Sequence, residues 1–322
     1  MHRAMSDART GAGRRPTAVD DTTAGDGRYR ITVQDEAGFS MRRLCPLRHT
    51  YCDHPLLRIE RLAALAHRLM PTRQCRFIVP GLTEASKFDH RSRPLDGRGI
   101  DEIFEHIEEP GSWIALYNIQ TEPEYQAFVW EILHSAGRLL QGRERPYEAR
   151  GFLFISAPPS LTPFHIDREN NFWLQIRGRK TLNLWDHTDR VAVAARDVED
   201  FIVTRSLENV GLSDAARPRV HVFECGPGDG AYFPCTTPHM TRSDRSWVTP
   251  GDAISISFGV VFYTPATRRQ AYAFAANRLL RRAGIEPRMP GAHDWLDRAK
   301  RPLGTIEMAL QRRHGFPDPH GF

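Results

Sequence analysis

The chain has 322 residues, enough for one large domain with appendages, and 40% of them are aliphatic, aromatic or cysteine, enough for a sizeable core. Its formal charge of +5 is spread over interspersed basic and acidic residues without a recognition motif, so nucleic acid is not an expected partner. No apolar run approaches the roughly 20 residues of a membrane span, no secretory signal opens the chain, and five unevenly spaced cysteines suit reduced thiols, which together point to the cytoplasm.

Residues 1–29 are rich in Gly, Ala, Thr, Asp and Arg and are expected to be disordered. Residues 30–146 read as an α/β segment. PLLRIERLAALAHRLM, starting at Pro55, sets Leu62, Leu65 and Leu69 near helical spacing, and Pro71 stops it. CRFIVPG and GSWIALYNI read as strands, and EPEYQAFVWEILHSAGRLL as an amphipathic helix. Residues 147–265 change character: GFLFISAPP, NFWLQIRG, KTLNLWD, VHVFECGPGDGAYFP and AISISFGVVFY are short aromatic and β-branched runs broken by Pro, Gly and Asp. That is the pattern of an all-β barrel or sandwich. Residues 266–322 return to helix in TRRQAYAFAANRLLRRAG, break at Pro and Gly, and end in a last helix near TIEMALQRRH.

The run TPFHIDRENNFWLQIRGRK, residues 162–180, carries the chemistry. Side chains two apart on a strand share a face, roughly 6.5–7 Å apart along the backbone, so His165 and Asp167 can bend toward one metal ion. Two histidines and a carboxylate on one face of a metal form the facial triad of non-haem Fe(II) oxygenases, which leaves positions open for co-substrate and O₂. His239, in TTPH beyond GPGDGAYFP, fits as the third ligand. His187 with Asp189, and His106 with Glu108, repeat the spacing elsewhere. The first pair reads as a surface turn and the second as helix, where side chains two apart diverge. Lys180 is one of only three lysines, with Lys87 and Lys300. Facing inward it would need an anion, such as a cofactor carboxylate; at a strand edge its head would sit in water. Cys45, His49, Cys52 and His54 lack the paired half-sites of a zinc centre and read as packing and turn residues.

In these residues the chain resembles the cupin-fold, JmjC-type Fe(II)/2-oxoglutarate oxygenases, most of all the asparaginyl hydroxylase of hypoxia-inducible factor, and also bacterial cupin-like proteins. Thr162, Pro163, His165, Asp167, Asn171, Phe172, Gln175, Gly178 and Lys180 follow the family's first motif, and Gly228, Asp229, Tyr232, Pro234 and His239 its second, over residues 147–265. The resemblance implies a double-stranded β-helix with an N-terminal α/β segment and C-terminal helices. It implies Fe(II) on His165, Asp167 and His239, with O₂ as oxidant, and 2-oxoglutarate on Lys180 and the Thr162 hydroxyl. Asn171 would lie near the keto-acid end or the oxygen site. Thr162 and Asn171 also read as ordinary turn-satisfying side chains. On the last barrel strand the hydroxylase carries an Asn where this chain offers Ser255, Ser257 or Gly259.

The activity so implied is hydroxylation of a C–H bond in a peptide, protein side chain or small metabolite, with release of succinate and CO₂. N-methyl demethylation by the same chemistry and a non-catalytic metal- or ligand-binding regulator are the alternatives. A homodimer through the C-terminal helices is a further expectation.

Overall fold

A computed structural model describes residues 27–78, 81–87, 90–91, 94, 97–140, 144–250 and 252–313. The expectation of disorder over residues 1–29 falls almost entirely outside them. The strands are β1 (Ile31–Thr32), β2 (Cys45–His49), β3 (Cys75–Ile78), β4 (His90–Arg91), β5 (Trp113–Leu116), β6 (Tyr147–Ser156), β7 (Ser160–His165), β8 (Asn170–Arg177), β9 (Lys180–Leu184), β10 (His221–Cys225), β11 (Asp229–Phe233), β12 (His239–Ser243) and β13 (Ser255–Tyr263). The helices are α1 (Ile59–Leu69), α2 (Ile100–Glu105), α3 (Pro123–Ser135), α4 (Gly137–Leu140), α5 (Ala195–Thr204), α6 (Pro265–Arg282) and α7 (Asp294–Arg313).

Two antiparallel sheets face each other. The larger runs β1-β2-β11-β8-β13-β6-β5-β3-β4 and the smaller β10-β9-β12-β7. Taking the eight strands from β6 to β13 in turn, the chain passes repeatedly from one sheet to the other, in pairs β6-β13-β8-β11 and β7-β12-β9-β10. This order is the double-stranded β-helix, or jelly roll, whose two sheets wrap a common interior. The N-terminal strands extend the larger sheet at both of its barrel edges, β2 on β11 and β5 on β6.

Strand alternation explains why β8 and β13 are buried along nearly their whole length. Phe172, Leu174 and Ile176, with Ile256, Phe258, Val260 and Phe262, turn outward into an apolar layer shared with Leu62, Leu65 and Leu69 of α1 and Phe128 and Ile132 of α3. Phe128 stacks on Phe258 with ring centroids 5.3 Å apart. The intervening residues face inward. The smaller sheet is covered by α5, α6 and α7, where Phe164, Trp185 and Met240 meet Phe201, Ile202, Tyr272, Phe274 and Met308. Burying both sheets accounts for most of the stabilisation, at about 25 cal/mol per Å² of apolar surface.

The last helix differs from expectation. It starts at Asp294, well before TIEMALQRRH, and continues through Pro302. Packing overrides the local breaker. Gly304 lies so close to α6 that a Cβ there would stand 2.0 Å from the Tyr272 carbonyl oxygen. Helix α5 lies in the stretch after Trp185 that the sequence reading left without an element. Among the described residues no helix is long and apolar enough to cross a membrane.

Candidate active site

Strand register builds the first two side chains of the site. His165 ends β7, His239 begins β12, and the two are directly opposed in the antiparallel pair. Their ring centroids are 4.0 Å apart. Asp167 follows in the turn to β8, and its Oδ2 lies 3.5 Å from His239 Nε2 and 4.0 Å from His165 Nε2. The ligand atoms of all three fall within 4.8 Å of one another, and among the described residues no other such group of three forms.

Each imidazole has its other nitrogen on a backbone carbonyl. His165 Nδ1 lies 2.8 Å from Pro163 O and His239 Nδ1 lies 3.0 Å from Thr237 O. A carbonyl only accepts, so Nδ1 carries a hydrogen in each ring and Nε2 is the atom turned toward Asp167. Both rings are buried. Two imidazole Nε2 atoms beside a carboxylate form a donor set that suits a divalent first-row metal ion.

The β8–β9 turn aims Lys180. Gly178 sits at φ +66°, where a Cβ would meet Ile254 O at 2.4 Å, so only glycine closes the turn. Lys180 opens β9 and points into the barrel at 2% exposure. The sequence left its head either inside or in water; it is inside. Its Nζ donates to Ser257 Oγ at 3.1 Å, Ser257 Oγ donates to Gln175 Oε1 at 3.1 Å, and Gln175 Nε2 donates to Ser255 Oγ at 2.8 Å. Among the described residues no carboxylate pairs with this ammonium. Burial therefore pushes its pKa down to about 8. Thr162 stands nearby in register with Thr241, whose hydroxyl donates to Thr162 Oγ1 at 2.9 Å, leaving the Thr162 proton available to another acceptor.

These side chains line one cavity of about 270 Å³. Its polar floor holds Thr162, Lys180, Thr241 and Ser257, the metal-ligand set lies beside it, and Asn171 stands against Gly259. Tyr117, Phe152, Phe154, Trp173 and Leu207 make the remaining wall apolar. All six residues singled out from sequence (Thr162, His165, Asp167, Asn171, Lys180 and His239) therefore face the same space.

Sequence reasoning missed the aromatic wall and Thr241. Phe152 and Phe154 carry a usable signal, two apolar residues at the spacing of one strand face. Leu207 carries none, because it reaches the cavity from the loop after α5. Of the three residues in doubt on the last strand, Ser257 and Gly259 line the cavity and Ser255 supports Gln175.

The decoys stay apart from this centre. His106 caps α2 and faces Glu109. His187, expected at the surface, is mostly covered: burial pushes its pKa down to about 4, and Asp189 turns instead to Arg219. In the Cys45–His54 stretch, His49 Nε2 lies 2.9 Å from Gln175 O and His54 stacks on Phe128, so neither ring is aimed at a shared ion.

No family model and no curated protein matches the chain. Among solved structures it is similar to YcfD, a ribosomal oxygenase from Escherichia coli, at 16% identity and a TM-score of 0.45, covering 89% of this chain and 69% of that one. A second structure of YcfD, in complex with cobalt and 2-oxoglutarate, aligns at 17% identity with the same score and coverage. SnoK, a non-haem α-ketoglutarate-dependent carbocyclase from nogalamycin biosynthesis, aligns at 13% identity and a TM-score of 0.38, over 70% of this chain and 81% of that one. Likeness at this level says nothing by itself about chemistry, so the site stands on its own geometry.

Proposed function

We propose that the chain is an Fe(II)- and 2-oxoglutarate-dependent dioxygenase that hydroxylates a C–H bond of its substrate. One observation carries this reading: a two-histidine, one-carboxylate set and an ammonium with no carboxylate partner among the described residues share a cavity with an apolar wall. The donor set accounts for a metal, and the buried Lys180 accounts for an anionic co-substrate, since an uncompensated buried cation is otherwise costly.

In this reading His165, Asp167 and His239 hold the iron. With co-substrate and O₂ bound there, the centre supplies oxidative decarboxylation of 2-oxoglutarate to succinate and CO₂, coupled to placing one oxygen atom on the substrate. Lys180 and the Thr162 hydroxyl take the distal carboxylate, as a charge-assisted bond and a neutral donor respectively. Ser257 accepts from Nζ and keeps the ammonium turned into the cavity. Asn171, which lines the cavity, would lie near the keto-acid end or the oxygen site. Tyr117, Phe152, Phe154 and Trp173 exclude water and receive the substrate group, which favours an uncharged, largely apolar target beside the metal.

The test is anaerobic addition of Fe(II) and 2-oxoglutarate to the metal-free protein. A visible charge-transfer band, followed by succinate once oxygen is admitted, supports the reading. A silent spectrum with no succinate would replace it with the non-catalytic binding module, and formaldehyde released from an N-methylated substrate would redirect it to demethylation. Trp295, Ile306 and Leu310 stand exposed on α7, which supports the expectation that a second copy pairs through the C-terminal helices. Sizing Trp295→Glu and Ile306→Glu against the parent chain tests that separately.

A further inference from the structure

We propose that Asn170 is a positioning residue that holds the two ligand-bearing turns at a fixed separation, an inference that rests on the metal reading above. Asp167 lies in the β7–β8 turn and His239 opens β12 just after the β11–β12 turn; the strand ladder pairs the flanks of these turns, His165 with His239 and Asn171 with Phe233, but not the residues within them. Two hydrogen bonds join the turns themselves, and a third anchors the link to α6. Thr236 N donates to the Asp167 carbonyl at 2.7 Å. Cys235 N donates to Asn170 Oδ1 at 3.1 Å. On its other side Asn170 Nδ2 donates to Thr267 Oγ1 at 3.1 Å. Thr267 belongs to the capping box that starts α6, where its backbone N–H donates to Thr264 Oγ1 at 3.2 Å. One carboxamide, 4% exposed, thus ties the Asp167 turn to the His239 turn and anchors both to a helix of 18 residues.

Asp167 depends on this tie more than the histidines do. Each imidazole is oriented by its own Nδ1–H bond to a carbonyl. Among the described residues the Asp167 carboxylate accepts no hydrogen bond; it lies beside the two rings, and its charge reaches Tyr117. Its aim is therefore set by the backbone of its turn. That turn is held at residue 169, where Glu169 pairs with Arg150 and accepts from Tyr263 Oη at 2.6 Å, and at residue 170 by the amide. The opposing turn is strained as well as tethered, because Thr236 has φ +60°, a region that non-glycine residues rarely adopt. Without Asn170, the N–H of Cys235, the residue just before the strained Thr236, loses its acceptor.

The experiment is a Co(II) titration of the metal-free protein, followed by the visible d–d spectrum, on the parent chain, Asn170→Ala and Asn170→Asp, with melting of each metal-free form as control. Asn170→Ala is expected to bind Co(II) about 10–100-fold more weakly, the usual effect of losing a residue that orients a ligand, with a changed d–d band. Asn170→Asp keeps an acceptor for Cys235 N–H and is expected to recover most of the affinity. Thr267→Val leaves Asn170 in place but unties it from the helix, so it stays informative should Asn170→Ala fail to fold; a smaller loss in the same direction is expected. Folded variants with unchanged Co(II) affinity and spectrum, differing only in melting temperature, would overturn the inference. A parent chain that shows no Co(II) band would instead sink the metal reading.

Discussion

Lys180 Nζ lies 3.1 Å from Ser257 Oγ inside the barrel, and among the described residues it has no counter-charge. In the proposed function a group so placed receives a ligand, and in the free protein its burial is a cost to the fold. Depressing an ammonium pKa from 10.5 to about 8 destabilises the folded protein by about 3 kcal/mol at neutral pH. Lys180→Met removes that charge from a site 2% exposed and should raise the melting temperature of the ligand-free protein by several degrees. The same variant should lose at least 100-fold in 2-oxoglutarate affinity, read by calorimetry. Loss of both stability and binding would contradict this account of the lysine.

The pH dependence carries a definite sign. Between about pH 8 and 10.5 the unfolded chain still holds the Lys180 proton while the folded chain has released it, so stability of the ligand-free protein rises with pH across that window. Affinity for an anionic co-substrate should fall over the same range as the ammonium is neutralised. Urea midpoints at pH 7.5 and 9.5 check the first statement, with Lys180→Met as the control in which this contribution disappears.

On the acid side the relevant groups are His49 and His187. Burial lowers both to about pKa 4 against an ordinary 6.5, so each contributes stability above pH 6.5 that is lost as pH falls toward 4. His49 Nδ1 accepts from Tyr51 N–H, so a second proton there would break that bond. His49→Gln should flatten part of the slope of stability between pH 6.5 and 4.

Asp167→Ala should abolish tight Fe(II) or Co(II) binding, because two imidazoles alone rarely hold a labile divalent ion. The carboxylate is partly solvent-exposed and accepts no hydrogen bond among the described residues, so the melting temperature of the metal-free protein should move little. A large drop in that temperature would assign Asp167 a structural role instead.

Gly259 leaves room for Asn171: a Cβ would stand 3.3 Å from its Oδ1. Gly259→Ala should leave stability within about 1 kcal/mol, since the strand conformation suits alanine. It should weaken co-substrate binding about tenfold as the carboxamide is pushed into the cavity, an order-of-magnitude expectation for one displaced polar contact.

How much of this was legible beforehand depends on how local the determinant is. The strands of the barrel announce themselves by composition, and the turn glycine and inward lysine at 178–180 are two residues apart. The pairing of His165 with His239 is not local, because it depends on β12 lying beside β7, yet sequence supplies the candidate residues. Ser257 and Thr241 become recognisable only when β13 and β12 are laid against Gln175 and Thr162. The α7 start was misread because Pro302 and Gly304 look like breakers, whereas the contact of Gly304 with Tyr272 is tertiary. Helix α5 was passed over because ARDVEDFIVT is short and four of its ten residues are charged; its apolar stripe has meaning only beside α6.

The strands added to either side of the larger sheet bear on how this protein can be cut. With β2 laid on β11 and β5 on β6, both flanks of the barrel's main sheet are sealed by chain that precedes it. A fragment beginning at residue 147 would bare two rows of unpaired peptide groups, the kind of rim that recruits neighbouring molecules into aggregates. The shell around the candidate site is therefore not a portable cassette, and transplanting it into another scaffold would require new strands to close those rims.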